Sequence, residues 1–413
     1  MSPAFTPSDG DGQRSAHTAA GRGTARRRFL SGIAVAVTAG LAGCGSLRSD
    51  ESAAFYDGDW HAYGNGPENR NRVTGGAPEP EEAAPMVPAD WAYGPPVVRD
   101  DVVYFAAERR VVAIGVDGTE AWTQRLEGEA FGAPALDPDR GRLYVPMRSA
   151  GSSDLDPEPA SVTAFAPDDG DRLATYRVGD EATYGVSVVD GDVYARSATA
   201  CVRLGPDGTE RWRRSLDPLV YDEYNLGDST ATQIPPAVTG DAVYVPDRDA
   251  LVKLDRESGE ERWRVDVDTP YAASATDGRG VVQTGHQEVV AVDHAGEERW
   301  RRDLHSRAAA ALAGDDVYVA AGDLHELDAG SGETTWRAHL PSEGTAAPVV
   351  TDDAVLVAGS GVRAFRRDVE GIFDPDRLRW ELGASHATAY ASPVVAAGRL
   401  FVVGPFGLEV HER

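Results

Sequence analysis

Lysine is almost absent from this chain: of its 40 basic residues only Lys253 is lysine, and the others are arginine. The acidic residues number 67, which gives a net charge of -27. This balance excludes a protein that holds a phosphate backbone, because nucleic-acid binding needs clustered Lys and Arg. The acidic residues occur in every part of the chain. We interpret them as a surface adapted to high salt; a specific surface for cations or for a basic partner is the alternative.

Cysteine is also scarce, and only Cys44 and Cys201 are present. Cys44 ends the sequence Leu-Ala-Gly-Cys, which matches a lipobox, and a twin-arginine export motif precedes it. The apolar run between them, residues 29–42, is shorter than the roughly 20 residues that a membrane-spanning helix needs. We predict a Tat-type lipoprotein signal peptide over residues 1–43 and a lipid on Cys44, which would hold the protein on the outer face of the cytoplasmic membrane. A plain secreted protein or an uncleaved anchor is the alternative. The export-motif residues are Arg26, Arg27, Phe29 and Leu30.

The common catalytic and metal-binding motifs are missing as well. The nine His residues are scattered, and the sequence holds no His-x-x-x-His, no Gly-x-Ser-x-Gly and no glycine-rich phosphate loop. A lipidated Cys44 would leave Cys201 with no disulfide partner, so we expect Cys201 to be a small core residue. We predict no catalytic residue and no metal ligand from these patterns.

One phrase, Gly-x-x-x-Trp, recurs in the second half of a repeated unit. Its glycine and tryptophan occur at Gly118 and Trp122, Gly208 and Trp212, Gly259 and Trp263, Gly296 and Trp300, and Gly332 and Trp336. Short apolar or alternating runs bounded by turn residues surround each copy, which indicates antiparallel strands. A period near 40 residues is typical of a propeller or another repeat architecture.

Two markers give the same number of units. The second strand of each unit is marked by Tyr104, Tyr144, Tyr194, Tyr244, Val282, Tyr318, Leu356 and Phe401. The outer strand is marked by Trp91, Trp122, a degenerate copy near Tyr176, Trp212, Trp263, Trp300, Trp336 and Trp380. The sequence therefore predicts an all-β fold, an eight-bladed β-propeller of four-stranded antiparallel blades over residues 91–413. An N-terminal strand around Trp91 would close the last blade and leave no open sheet edge. Residues 44–90 read as a tether and an irregular lead-in, with Trp60 and Tyr63 docked on the domain.

The repeat resembles the PQQ-like (quinoprotein-type) β-propeller repeat over residues 91–413. WD40 repeats would place Asp after the Trp, and Asp boxes would place Gly three residues before the aromatic residue. The resemblance implies that each Trp packs between neighbouring blades and is structural. These residues are Trp91, Trp122, Trp212, Trp263, Trp300, Trp336 and Trp380.

The resemblance leaves two functions open. The quinoprotein dehydrogenases of the family have an adjacent Cys-Cys pair, a Ca²⁺ site and a catalytic Asp, and no position of this sequence carries the pair or the ligand set. The lipid-anchored BamB-like branch consists of non-catalytic scaffolds. We expect a monomeric, non-catalytic scaffold without a cofactor that binds another extracytoplasmic or membrane protein or a ligand, and no nucleic acid. A PQQ-dependent oxidoreductase with Ca²⁺, or a sugar-active enzyme, using the channel mouth is the alternative.

Two groups of residues are candidates for binding. Long insertions at residues 151–159 and 217–233 should lie on one face of the propeller, where loops often carry function; tolerated surface insertions are the alternative. The second insertion holds Tyr221, Asp222, Glu223 and Tyr224. At the start of each inner strand one position is mostly aromatic, which predicts a ring at the channel mouth; aromatic residues that plug the channel or pack between blades are the alternative. The ring residues are Tyr93, Phe131, Tyr184, Gln233, Tyr271, Arg307, Thr345 and Tyr390.

Overall fold

The structure is a computed structural model, and it describes residues 58–80, 82–90, 92–148, 160–179, 182–219, 233–342, 344–367, 377–383, 386 and 390–412. Several predicted features lie outside these residues: the signal peptide with its export motif, Cys44, Trp91, and the loop residues Tyr221, Asp222, Glu223 and Tyr224. Within the described ranges, no helix is long and apolar enough to cross a membrane.

Eight antiparallel sheets form the eight blades of the propeller, as the repeat count predicts. In the first three blades the strands are, from the inner to the outer strand, Val97–Arg99, Val102–Ala107, Arg110–Gly115 and Glu120–Arg125 (blade 1); Ala135–Asp137, Arg142–Arg148, Ala160–Phe165 and Arg172–Gly179, with a short extra strand Glu129–Ala130 (blade 2); and Thr183–Val189, Asp192–Ser197, Ala200–Leu204 and Glu210–Ser215 (blade 3).

The next three blades repeat this order. Their strands are Ala237–Val238, Ala242–Asp247, Ala250–Asp255 and Glu261–Asp266 (blade 4); Ala275–Asp277, Gly280–Thr284, Val289–Val292 and Glu298–Arg302 (blade 5); and Ala311–Ala313, Asp316–Ala321, Asp323–Asp328 and Thr334–His339 (blade 6).

The last two blades bring the chain back to its N-terminal part. Their strands are Val349–Val350, Ala354–Gly359, Gly361–Arg366 and Leu378–Leu382 (blade 7); and Val394–Ala396, Arg399–Gly404, Gly407–Glu412 and Glu82–Pro88 (blade 8). The one helical element of the described residues is a short 3₁₀ turn, Tyr63–Asn65.

Burial along the strands follows the sequence pattern. Second strands such as Ala242–Asp247 are buried on both faces, as expected for strands covered by the blades on either side. Outer strands alternate, so that in Glu120–Arg125 the side chain of Trp122 is buried while both its neighbours are exposed. This alternation turns each tryptophan toward a neighbouring blade.

The ring closes with an N-terminal strand, which confirms that part of the fold prediction. The closing strand, Glu82–Pro88, pairs with Gly407–Glu412 and ends before Trp91. In blades 1 and 7 the outer-strand tryptophan pairs with the fourth residue of the third strand. In blade 8 the fourth residue of the third strand is Val410, and it pairs with Ala84. The strand therefore lies several residues earlier than expected, and its pairing places alanine at the tryptophan position.

Tryptophan fastens one blade to the next, as the resemblance implies. Trp122 Nε1 donates to Pro167 O at 2.7 Å, and the indole lies against the turn glycine Gly170 of blade 2. Trp212, Trp263 and Trp300 repeat this contact on the next blades. In the degenerate copy, Tyr176 takes the place of tryptophan and lies against Gly208 of blade 3.

The lead-in is part of the ring. Trp60 and Tyr63 are buried, as predicted. Residues 58–73 run alongside the inner strands and bond to seven blades: Ala397 N donates to Gly58 O, Val98 pairs with Trp60, Leu136 N donates to His61 O, Val238 N to Pro67 O, Thr276 N to Glu68 O, Leu312 N to Arg70 O and Val350 N to Asn71 O. This segment therefore lies on the channel side of the inner strands.

Candidate functional site

The backbone bonds of the lead-in lie farther along the inner segments than the predicted mouth residues. In blade 2, Phe131 precedes the inner strand Ala135–Asp137, and Phe131 N donates to Pro146 O near the end of the second strand. Leu136, inside the inner strand, donates instead to the lead-in residue His61. Phe131 lies opposite Pro146, and Leu136 pairs with Leu143 of the same second strand, so at about 3.3 Å per residue the two contacts lie roughly 10 Å apart. The end of the channel that carries Phe131 is the mouth end.

Three of the predicted mouth residues form one aromatic cluster. The rings of Tyr93 and Phe131 are 4.9 Å apart, and those of Phe131 and Tyr184 are 5.7 Å apart. Phe131 is buried, whereas Tyr93 and Tyr184 are half-buried. The three residues come from the starts of three successive inner segments, so the cluster spans blades 1 to 3.

Arg148 covers this cluster from the end of the second strand of blade 2. Its guanidinium carbon lies 5.0 Å from the ring centre of Tyr93 and 5.0 Å from that of Phe131. Arg148 also donates to Tyr93 Oη at 3.0 Å and to Glu129 Oε2 at 2.8 Å. A cation stacked on two rings and held by a carboxylate is fixed in position. Sequence reasoning missed Arg148, because its strand position showed no repeat pattern.

Gln233 serves as a brace within the same cluster. Its Oε1 accepts from Ala133 N at 2.8 Å, and its Nε2 donates to Tyr93 O at 2.9 Å. The side chain is 7% exposed. Gln233, which precedes blade 4, therefore joins backbone groups that precede blades 1 and 2.

The other predicted mouth residues have different surroundings. Tyr271 is only 1% exposed, and its hydroxyl lies 3.1 Å from His286 Nδ1. The His286 ring in turn meets His305 edge-on at 4.9 Å. Arg307, Thr345 and Tyr390 are half-buried, and among the described residues Arg307 Nε is buried without a hydrogen-bond partner. The eight positions are thus not one uniform aromatic ring.

A pocket of about 380 Å³ between blades 1 and 2 continues from Arg148. Its lining includes Arg125, Arg172 and Arg177 besides Arg148, and Glu127 pairs with Arg172 at 2.7 Å. Four arginines around one pocket stand out in a chain of net charge -27. Arg172 and Arg177 belong to the outer strand that carries Tyr176, and Arg148 to the second strand of the same blade, so blade 2 supplies three of these four cations.

Inside the channel, next to the mouth positions, the side chains around Tyr63 are mainly structural. Tyr63 packs with Ala133, Ala272, Ala273, Ala309 and Ala347, and burial raises the pKa of its hydroxyl. Small residues at these positions make room for the phenol ring. This apolar cluster fills part of the channel interior.

Buried asparagines anchor the lead-in next to that cluster. Asn69 is fully buried, and its Nδ2 donates to Pro235 O at 3.0 Å and to Ser274 O at 3.1 Å. Asn71 Nδ2 donates to Asn69 O at 3.1 Å. Both residues have a positive φ, a conformation that Asn tolerates better than most other residues.

Cys201 lies in the core of blade 3 and is fully buried. Burial raises the pKa of its thiol to about 12. Because the thiolate is the nucleophilic form, Cys201 is unreactive near neutral pH. The prediction that Cys201 is a core residue is confirmed.

Solved structures with the same fold include a BamB protein and two dehydrogenases. BamB from Moraxella catarrhalis superposes with a TM-score of 0.65 at 14% identity, covering 81% of this chain and 99% of that one. The quinohemoprotein alcohol dehydrogenase from Comamonas testosteroni gives 0.62 at 12% identity, covering 86% and 80%. A europium-containing methanol dehydrogenase gives 0.60 at 11% identity, covering 84% and 88%. At these identities the likeness shows the fold alone.

The family is shown by the sequence itself. No curated protein sequence matches the chain. The family model described as outer membrane protein assembly factor BamB matches residues 70–195, 189–311 and 285–370, which together run through most of the propeller. The chain therefore belongs to this PQQ-like family of β-propeller proteins.

Proposed function

We propose that this protein is a non-catalytic scaffold, exported by the Tat route and anchored by a lipid on Cys44 to the outer face of the cytoplasmic membrane. It binds another extracytoplasmic or membrane protein at the mouth end of its channel, the end that carries Phe131. Membership of a family described as an assembly factor supports this role. The protein acts as a monomer, and its partner supplies the activity that the scaffold organises.

The observation that carries the proposal is the joined surface of aromatic rings and arginines at this end. Tyr93, Phe131 and Tyr184 pack together under Arg148, and Arg148 also lines the pocket between blades 1 and 2. Tyrosine and arginine are the residue types that dominate the binding energy of protein interfaces. A rigid, braced cluster also loses little side-chain entropy on binding.

The pocket indicates the chemistry of the partner segment. Arg125, Arg172 and Arg177 present guanidinium groups, which pair with carboxylates in a planar, two-bonded geometry. The chain as a whole carries a net charge of -27, so an acidic segment is favoured where these arginines cluster. We therefore expect the bound segment to carry Asp or Glu beside an aromatic or other flat side chain.

The channel interior favours a scaffold over an oxidoreductase. Tyr63 and the alanines around it occupy the channel interior next to the mouth positions. The two cysteines of the chain, Cys44 and Cys201, are not adjacent, so no adjacent thiol pair is available to contact a quinone. A cofactor-free propeller is consistent with this packing.

A photo-crosslinking amino acid in place of Tyr184 tests the scaffold role in native membranes. We expect one dominant crosslinked protein, and we expect its yield to fall when Arg148→Ala is added. The matched control places the same crosslinker at Asp315, a 97% exposed residue in the turn after the inner strand of blade 6, at the end opposite the mouth. Equal crosslinking from both positions, or no effect of Arg148→Ala, would contradict the proposed surface.

Incubation of the full chain with PQQ and Ca²⁺ in high salt tests the enzymatic alternative. We expect the quinone absorbance to be lost completely on gel filtration. Quinone that remains bound in a one-to-one ratio would overturn the non-catalytic assignment. Anchoring is tested separately, because Cys44→Ser should release the protein from the membrane fraction.

A further inference from the structure

The seam of the ring, where blade 8 meets blade 1, lacks the tryptophan contact that joins blades 1, 3, 4 and 5 to the blade that follows each of them. The outer strand of blade 8 has Ala84 at the tryptophan position, and no described residue lies within 4 Å of a methyl group placed on Gly118 of blade 1. On the other side of blade 8, Trp380 Nε1, like Trp336 Nε1, is buried without a hydrogen-bond partner among the described residues. In the described part of the chain, the seam between blades 8 and 1 therefore has no tryptophan contact of the kind seen between blades 1 and 2.

Three metal-ligating side chains meet at this blade. Glu409 and His411 lie two residues apart on the third strand of blade 8, so they point to the same face of the sheet. His386 comes from the connection between blades 7 and 8. Each side chain offers one ligand atom, and these atoms lie within 4.8 Å of one another.

Two of the distances between the ligand atoms are close to those between neighbouring ligand atoms around a bound zinc ion. His386 Nδ1 lies 2.8 Å from Glu409 Oε2, and His411 Nε2 lies 3.6 Å from the same oxygen. In a tetrahedral zinc site with ligand distances of about 2.0–2.1 Å, neighbouring ligand atoms are roughly 3.4 Å apart. Small shifts of side chains on one strand and one loop would therefore suffice.

Hydrogen bonding within the cluster accounts for the contact between His386 and Glu409, but it leaves the buried ring of His411 unsatisfied. It is 1% exposed, and its Nε2 is buried with no hydrogen-bond partner in the described part of the chain. A buried polar atom left without a partner is costly, on the order of 1–3 kcal/mol. This nitrogen faces Glu409, the carboxylate that His386 already contacts.

We propose that His386, Glu409 and His411 form a Zn²⁺ site. Two imidazole nitrogens and one carboxylate oxygen match the donor set of zinc sites that keep one position open. The His386 side chain is 33% exposed, which leaves a path for the ion and room for a water molecule as the fourth ligand. The net charge of -27 raises the local concentration of cations at the surface.

The ion strengthens the closure of the ring. His386 is attached to the outer strand of blade 7, whereas Glu409 and His411 belong to the strand that pairs with Glu82–Pro88. A metal bond between them ties blade 7 to the strand that closes the circle. Zinc binding therefore stabilises the folded ring, by an amount that grows with the logarithm of the free Zn²⁺ concentration once the site is nearly saturated.

The test is a Zn²⁺ titration of the full chain, purified in detergent, stripped with a chelator and kept in high salt with excess Mg²⁺. A chromogenic chelator competes for the ion. We expect one tight Zn²⁺ per chain, a higher unfolding temperature with Zn²⁺, and a visible Co²⁺ spectrum of a four-coordinate site. His386→Ala and Glu409→Gln should each weaken Zn²⁺ binding by at least about tenfold.

The control variant is His339→Ala, which removes another histidine–carboxylate pair, His339 Nδ1 to Asp323 Oδ1 at 3.0 Å, that has no third ligand among the described residues. This change should leave zinc affinity unchanged. The site is refuted if no tight ion binds, or if His386→Ala and Glu409→Gln titrate like the parent chain. Both variants alter partly exposed side chains, so the test does not depend on substituting the buried His411.

Discussion

The indole of Trp300 lies against Gly332 of the next blade, so closely that a methyl group on Gly332 would come within 2.6 Å of Trp300 Cδ2. Trp300 Nε1 completes the contact by donating to Ala329 O at 3.0 Å. The glycine of the phrase therefore has two separate roles. It allows the turn its positive φ of 72°, and it provides the flat surface on which the tryptophan of the preceding blade rests.

Gly332→Ala should destabilise the propeller by about 2–4 kcal/mol. Part of the loss comes from the left-handed backbone, and part comes from the clash with Trp300. The free energy of unfolding in denaturant measures the sum. Gly118→Ala is the matched control, because Gly118 has a φ of 84° in the same phrase but no described residue within 4 Å of an added methyl group. Equal losses in the two variants would mean that the tryptophan contact contributes nothing.

Asn69→Ala should cost about 2–3 kcal/mol of stability, since it removes two buried hydrogen bonds and leaves the carbonyls of Pro235 and Ser274 without them. Asn65→Ala is the control: Asn65 has a φ of 57°, close to the 55° of Asn69, but its Nδ2 donates only to Arg72 O within the lead-in. We expect about 1 kcal/mol for Asn65→Ala. If thermal unfolding shows the two changes to be equivalent, the lead-in does not brace the blades.

A chain that begins at residue 91 should not form a stable monomer, whereas one that begins at residue 46 should fold. The shorter chain lacks Glu82–Pro88, so the edge of Gly407–Glu412 would be unpaired and open to aggregation. It also lacks the segment that bonds to seven blades. Light scattering and circular dichroism in high salt compare the two chains. A well-folded monomer from residue 91 would show that the ring closes without these contacts.

Much of the fold could be predicted because one local contact is repeated. The Gly-x-x-x-Trp phrase encodes a turn and a docking ring in five residues, so counting it gives the blades without any long-range information. The closing strand could not be placed in the same way. Its pairing puts Ala84 at the tryptophan position, and Trp91, the residue that carried the expectation, follows the strand.

The candidate site was less predictable, because it depends on which side chains the ring brings together. Tyr93, Phe131 and Tyr184 share one aligned position, and the structure clusters them. Tyr271 shares that position but is buried against His286. Arg148 lies near the end of a second strand, a position for which the sequence gives no alignment signal. For His386 and His411 the only local sign is the spacing of Glu409 and His411 on one strand face.

The loss of folding stability at low pH should depend in part on Asp353, whose carboxylate joins the lead-in to blade 7. Burial alone would raise the pKa of this carboxyl, but Ala77 N at 2.7 Å, Thr351 Oγ1 at 2.9 Å and Arg379 Nη1 at 2.7 Å outweigh it and hold the pKa below its usual range. Because the folded pKa is the lower one, the stabilisation is complete above the unfolded value of about 3.9 and disappears as the pH falls through the folded value.

Asp353→Asn should therefore lower the free energy of unfolding by about 1 kcal/mol near pH 7, a modest figure because the carboxylate is partly exposed and screened. The difference from the parent chain should vanish below the folded pKa, so the two stability curves should converge in acid. Asp315→Asn is the control, since Asp315 is 97% exposed and paired only with Arg279 at 2.9 Å. Urea unfolding at constant salt across this pH range measures all three chains. If the Asp353→Asn curve stays parallel to that of the parent chain down to the lowest pH, the lost stability comes from packing rather than from the charge of this carboxylate.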